Sequence, residues 1–288
     1  MIDQSLASLS DTLFTVSVVV YSLAVVAFCA ELAFGRPAPA ARQLVAAGNG
    51  PRVEPLPETT PARSRRLSAV AMLLTRVGLL SHAGVVVTRG LAAHRLPWGN
   101  MFEFTTVVVL VAVVAYTVLA VRTPELQHIG VFVMGPVVLA MALIRFELYV
   151  QAGPLVAALR SWWLGVHVTT ATLGFGIFFL SGIVSVLYLV QSGREQRVAA
   201  GASLAPSLLD RLPSAAALDR TAHRTVVFGF PVWTFAVIAG AIWAESAWGR
   251  PWGWDPKETW AFIAWVVYAA YLHARTTSGW RGRPSAWP

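Results

Sequence analysis

Long apolar runs, broken by short polar segments rich in arginine, organise this sequence. Seven such runs are read, at about Thr12 to Phe34, Leu67 to Thr88, Phe104 to Val121, His128 to Ile144, Trp162 to Val190, Val226 to Ala244 and Thr259 to Ala274. A helix rising about 1.5 Å per residue needs about 20 residues to cross a hydrocarbon core of roughly 30 Å, and these runs match that length. Backbone polar groups inside hydrocarbon have to bond within their own segment, so the runs predict helices. The expected fold is all-α: a polytopic transmembrane helix bundle of about seven spans.

Composition agrees with that pattern. Hydrophobic residues make up 56% of the 288 and charged residues 12%, against about 25% charged in a soluble domain. The net charge of +8 does not point to nucleic acid, because no basic stretch is interleaved with exposed aromatics in a polar segment. Basic residues instead alternate between the two sides of the expected membrane. Fifteen fall on the side of residues 35–66, Arg122, 191–225 and the tail; six (Arg89, Arg95, Arg145, Arg160, Arg250 and Lys257) fall on the other. The positive-inside bias then expects the amino terminus outside and the carboxyl terminus inside a cell membrane. The first run has an acidic flank, Asp3 and Asp11, and is expected to stay as an anchor, not a cleaved signal. Residues 1–66 thus read as an anchor plus a flexible basic cytoplasmic linker, and 67–288 as a second unit, with a short surface helix expected near Leu204 to Leu218. The single cysteine, Cys29, excludes an internal disulfide and a CxxCH attachment site.

Chemistry concentrates in AWGRPWGWDPKETWAF, residues 247–262, expected on the outer side before the last run. Trp248, Trp252 and Trp254 are separated by Gly and Pro, so they form no continuous helix. Asp255 followed by Pro256 reads as an N-cap with Pro at the first helical position. An interfacial tryptophan belt accounts for indoles at this depth. It does not require the glycine spacing or the Asp, Lys and Glu among the rings. A flat apolar ligand with an anionic edge suits the segment as well, its face on the rings and its carboxylates at Arg250 or Lys257.

The stretch from Trp248 to Trp287 resembles the WWD motif and following helix of the CcsA/ResC-type proteins of system II cytochrome c maturation. LPWGNMFEF, from Leu96, resembles that family's Asn-aromatic-Glu signature, and SWWLGVHV, from Ser161, its outer histidine segment. The resemblance implies a haem-binding membrane subunit that exports haem, b-type in transit and non-covalent, and presents it to apocytochrome c, whose CxxCH thiols form the thioethers. Trp248, Trp252, Trp254 and Asp255 would form the platform, Arg250 and Lys257 would meet propionates, and His167 and His273 would ligate iron near opposite faces of the membrane. It also implies a ResB/Ccs1-type partner and a holocytochrome c synthase, or haem lyase-type, assembly. In that family a further helix carrying a second outer histidine follows the final Ser-Ala-Trp, whereas this sequence stops at Pro288, so two expectations stand: the sequence is a truncated one, or the outer haem takes His167 and some other ligand. Three other readings stand beside it: a haem transporter without attachment activity, a scaffold with a tryptophan belt and no Soret band, and the haem-delivery subunit of the other maturation system.

Other polar groups in the runs receive structural expectations. His82 and Arg76 are expensive in lipid and are expected to face the bundle. His94 is expected in solvent, and His128 and His223 at the cytoplasmic ends of spans.

Overall fold

The computed structural model describes residues 2–34, 42–47, 50–55, 62–155, 159–202 and 208–277. Seven helices account for the apolar runs: α1 Gln4–Phe34, α2 Ala62–Ala92, α3 Met101–Arg122, α4 Gly130–Glu147, α5 Trp162–Ala199, α6 Ala215–Trp248 and α7 Pro256–Thr276. A 3₁₀ turn, Pro124–Ile129, leads into α4, and an antiparallel ribbon of β1 Arg42–Ala47 and β2 Gly50–Pro55 lies within the expected linker. Six helices, α1 to α6, are long and apolar enough to cross a membrane. The seventh expected span, α7, is not among them: Lys257 and Glu258 occupy its first turn and His273 and Arg275 its last, which leaves residues 259–272 as its uncharged middle.

Neighbouring helices run antiparallel. Asp3 N–H donates to the Ala92 carbonyl at 3.0 Å and Ser10 Oγ to that of Val85 at 3.1 Å, which sets α1 against α2. Trp233 Nε1 donates to Ala261 O at 3.3 Å, and Arg275 forks onto Asp219 with two 2.9 Å bonds, which sets α7 along α6. One end of the bundle therefore collects residues 93–100, 148–155, 159–161 and 249–255, and the other collects the start of α2, residues 123–129 and residues 208–214. The expected surface helix near Leu204 to Leu218 is not what forms: Leu208–Arg211 is a 3₁₀ turn and α6 begins at Ala215, while residues 203–207 lie outside the described residues. Ser214 caps α6 by accepting from Ala217 N, and Glu195 of α5 accepts from Ala215 N at 2.9 Å, so the chain turns directly into the span.

The main core gathers Tyr21 and Phe28 of α1, Tyr116 of α3, Met134 and Met141 of α4, Leu180 of α5 and Leu218 of α6, all but inaccessible. Lipid is as apolar as these side chains, so close packing and internal polar bonds hold such a bundle more than water exclusion does. Gly130 shows the closeness: an added Cβ would overlap Phe28 and Tyr116. A second cluster, Ala171, Phe178, Trp233 and Ala236, receives Trp265 and Tyr268 from α7. Phe178 and Tyr268 stack at 3.8 Å and 16°.

The Asn-Met-Phe-Glu stretch becomes a buried charged knot. Asn100 caps α3 by accepting from Glu103 N at 2.9 Å. The Glu103 carboxylate, fully enclosed, meets Arg89 Nε at 3.1 Å, Arg95 Nη1 at 2.7 Å and Gly99 N–H at 2.7 Å. Arg95 also donates to Gly153 O at 2.9 Å and Arg89 to Val150 O, which ties the two loops at this end together. Two of the six basic residues on the poorer side are thus consumed inside the protein. His82 is fully buried beside Tyr21, whose hydroxyl lies 3.3 Å from Nδ1. Arg76, expected to face the bundle, is instead exposed along the side of a cavity. His94 is exposed, as expected.

Candidate functional site

α5 starts at Ser161, whose Oγ accepts from Trp163 N at 3.2 Å. That start point places His167 between one and two turns into the helix, on the face that packs against α6. His167 Nδ1 lies 2.9 Å from the Ala236 carbonyl. A carbonyl only accepts, so Nδ1 carries the proton and Nε2 keeps its lone pair, which has no hydrogen-bond partner among the described residues. Metal-binding histidines are set up in this way, the second ring nitrogen held by a backbone carbonyl. Gly240 makes room for the ring: an added Cβ there would sit 2.7 Å from His167 Cε1 and 2.8 Å from Nδ1.

From this histidine a series of rings leads to the loop. The Trp243 indole lies parallel to the imidazole, 8° and 5.9 Å between centroids, and Trp248 meets Trp243 edge-on at 6.1 Å and 76°. The chain leaves α6 through Gly249, in the left-handed conformation at φ 67°, with its N–H on Glu245 O. A second series follows: Trp252 and Trp254 cross at 5.6 Å and 84°, both stand edge-on to Phe262, and Phe262 stacks on Trp265 at 6.3 Å and 9°. Trp248 and Trp254 are 55% and 64% exposed, so each presents a free indole surface. The Nε1 atoms of Trp243 and Trp252 are buried without a hydrogen-bond partner among the described residues. Such donors are expensive to leave unmade, and an anionic edge would satisfy them.

Polar residues of the loop hold its shape. Asp255 caps α7, its Oδ1 accepting from Lys257 N at 2.9 Å and Glu258 N at 3.0 Å, with Pro256 in the first turn. Glu258 reaches back to Gly253 N at 2.6 Å, and Thr259 Oγ1 donates to Trp254 O at 3.2 Å. These bonds hold Trp254 at φ 58°, a conformation that a bulky residue rarely adopts. Arg250 folds over Gly253, its guanidinium in the space a side chain there would take, and lies 4.0 Å from Glu258. Lys257 is exposed and in no ion pair among the described residues.

His273 lies toward the opposite end of α7, exposed on a helix that has no fully buried residue. Nearby, Arg275 grips Asp219, and Tyr271 OH lies 3.4 Å from His223 Nδ1. The structure therefore brings His167 together with Trp243 and Trp248 and keeps His273 apart. No cluster of three or more His, Cys, Asp or Glu occurs among the described residues. A porphyrin that brings its own four nitrogens needs only axial donors from the protein, and His167 and His273 are of that kind. Sequence reading missed Trp243 and Gly240, which lie inside an ordinary apolar span; the only signal was a tryptophan five residues before Trp248.

The family described as cytochrome c assembly protein matches residues 98–288. This chain belongs to that family. Curated CcsA cytochrome c biogenesis proteins are similar over long stretches: that of Gloeobacter violaceus is 32% identical over 73% of this chain and 76% of its own length. The one from Synechococcus sp. strain JA-2-3B'a(2-13) is 32% identical over 74% and 78%. The Guillardia theta protein is 42% identical over 48% of this chain, a stretch that spans about half (49%) of that relative. Among solved structures the cytochrome c haem lyase CcmF superposes with a TM-score of 0.64 at 16% identity, over 98% of this chain and 44% of that one, which shows a shared fold. The chain is thus a CcsA-type, multi-pass membrane protein of cytochrome c maturation.

Proposed function

We propose that this chain is the haem-presenting membrane subunit of a system II assembly. It takes up haem, carries it across the membrane and holds it at the tryptophan loop for attachment to apocytochrome c. The observation that carries this reading is the His167 arrangement: an imidazole with Nδ1 committed to Ala236 O and Nε2 left to coordinate, in ring contact with Trp243 and through it with Trp248. Haem, as cargo, supplies the iron and the reactive vinyl groups. This chain's part is positioning: His167 grips from one side, the exposed faces of Trp248 and Trp254 support the macrocycle, and the buried indole N–H groups of Trp243 and Trp252, with Lys257 and Arg250, meet its carboxylates. Asp255 acts by fixing the start of α7 and hence the height of the shelf. Each cysteine thiol of the incoming CxxCH segment adds across a vinyl double bond, sulfur to one carbon and hydrogen to the other, with no net redox change. The only thiol here, Cys29, lies in α1 and takes no part.

The loop faces outward and the arginine-rich end faces the cytoplasm, a reading supported by the fifteen-to-six bias of basic residues. His273 serves a second haem, in transit, at a surface of α7 left open for a ResB/Ccs1-type subunit. The test is the absorption spectrum of the purified protein beside His167→Ala and His273→Ala. Each variant is expected to lose part of the Soret intensity or to change its ligation bands. Wild-type haem content and ligation in both would end the proposal.

A further inference from the structure

A polar cavity of about 500 Å³ opens at the end of the bundle away from the tryptophan loop, between the end of α1, the first half of α2 and the 3₁₀ turn before α4. Glu31, Ser64, Arg65, Ser68, Arg76, Gln127 and His128 supply its polar lining. Arg76 lies near the middle of α2, twelve residues beyond Ser64 and so roughly 18 Å along the helix axis. Its side chain is nevertheless exposed and has no ion-pair partner among the described residues. An arginine at that depth is expensive in hydrocarbon and needs a polar or anionic neighbour.

The geometry supplies a place for one. Arg65 and Arg76 are eleven residues apart, about three turns, and so share one face of α2 with Ala69 and Met72 between them. Helical side chains lean toward the helix N-terminus, so Arg76 is carried back along α2 over Met72 and Ala69, which line the same cavity. Arg65 likewise has no partner among the described residues. The Glu31 carboxylate, 1% exposed, lies 2.8 Å from His128 Nδ1, and no ion pair joins it to Arg65 or Arg76 among the described residues. Between the two arginines Ser68 is 7% exposed, and its hydroxyl, buried in the wall, makes no hydrogen bond among the described residues. Two unmatched guanidinium forks and a buried hydroxyl in the wall of one cavity suit a phosphate, whose oxygens accept hydrogen bonds from such donors. Basic pockets between membrane helices at the arginine-rich side hold lipid headgroups for this reason.

We propose that this cavity binds the phosphate of an anionic membrane phospholipid, held by Arg65, Arg76 and Ser68, with the acyl chains along the exposed Val70, Leu73 and Val77 of α2. The site is independent of the haem reading, since it lies on α1 and α2, away from α5, α6 and α7.

The experiment uses the full chain in phosphatidylcholine–phosphatidylglycerol mixed micelles and measures co-purifying lipid by native mass spectrometry. Wild type is expected to retain phosphatidylglycerol selectively. Arg65→Gln/Arg76→Gln lowers that retention by about tenfold or more, the loss that two headgroup-pairing charges carry. Arg197→Gln, an exposed arginine at the same end on α5, leaves it unchanged. Ala69→Trp, at an exposed position lining the cavity, blocks binding with all charges kept and covers the case in which the double variant fails to fold. Equal retention in wild type, the double variant and Ala69→Trp overturns the proposal, as does an equal loss in Arg197→Gln. A parallel arm adds inorganic phosphate alone and follows thermal unfolding. A rise with phosphatidylglycerol only supports the lipid; a rise with free phosphate and none with the lipid overturns that assignment.

Discussion

The imidazole of His167 and the indole of Trp243 lie 8° from parallel, one on α5 and the other on α6, with centroids 5.9 Å apart. The contact joins residues 76 positions apart on consecutive helices, and it sets the angle at which Nε2 leaves the α5 surface. Trp243→Ala removes both the ring and its buried Nε1 donor, while Trp243→Phe keeps a ring and loses only the donor. Trp243→Ala is expected to lower haem content and shift the ligation bands. Trp243→Phe should keep the bands and weaken haem retention by a few-fold, read from haem loss to a soluble acceptor.

Gly240 is a sharper probe of the same geometry, since a methyl group there comes within 2.7 Å of His167 Cε1. Gly240→Ala should push the imidazole off the Ala236 carbonyl and disturb the Soret band with a thermal midpoint within a few degrees of wild type, because overpacking at a half-buried position costs about 1–3 kcal/mol. Gly182, with open space around it, is the control: Gly182→Ala should leave the spectrum untouched.

Asp255 fixes the junction of loop and helix through one carboxylate oxygen shared by two backbone N–H groups. Losing an N-cap costs about 1 kcal/mol, and Asn replaces Asp at this position almost fully. Asp255→Ala should therefore loosen Trp254 and raise amide exchange at the start of α7, whereas Asp255→Asn keeps both near wild type. Equal effects of the two would mean that the negative charge, not the cap, matters.

Glu103 lies between Arg89 and Arg95 in a fully enclosed setting. Breaking a buried ion cluster by removing one partner costs about 3–5 kcal/mol. Glu103→Gln is expected to lower the thermal midpoint and membrane accumulation markedly. Glu147→Gln, at an exposed position at the same end, should leave both unchanged.

Asp3 precedes α1, and the Ser5 hydroxyl first, then the Leu6 N–H, hold its carboxyl below the usual carboxylate range. A folded-state value below the ordinary 3.8 means that its help to the helix start is present above 3.8 and is lost as pH falls through the lower folded value. Amide exchange at Ser5 and Leu6 should thus accelerate, beyond the intrinsic rate change, only in strongly acid medium. In Asp3→Ala it should be fast at every pH.

The division between sequence and structure follows from what each interaction needs. Crossing a membrane requires only length and apolarity, so the runs from Thr12 to Ala244 announced six spans, and Gly, Pro and Asp255 announced the loop and the start of α7. Other readings depended on neighbours that no run contains: the capping of α6 at Ser214, the exposure of Arg76, and the bond between His128 and Glu31, 97 residues apart.

By itself the sequence determined that this is a helical membrane protein with a tryptophan loop and histidines near both ends, because hydropathy and local turn chemistry act over a few residues. Only the tertiary structure decided that His167 is seated on Gly240, bonded to Ala236 and aligned with Trp243, and that Arg65 and Arg76 open into one cavity. Those arrangements depend on how helices pack side by side, and in lipid that choice is made by shape and by polar groups seeking partners across the bundle.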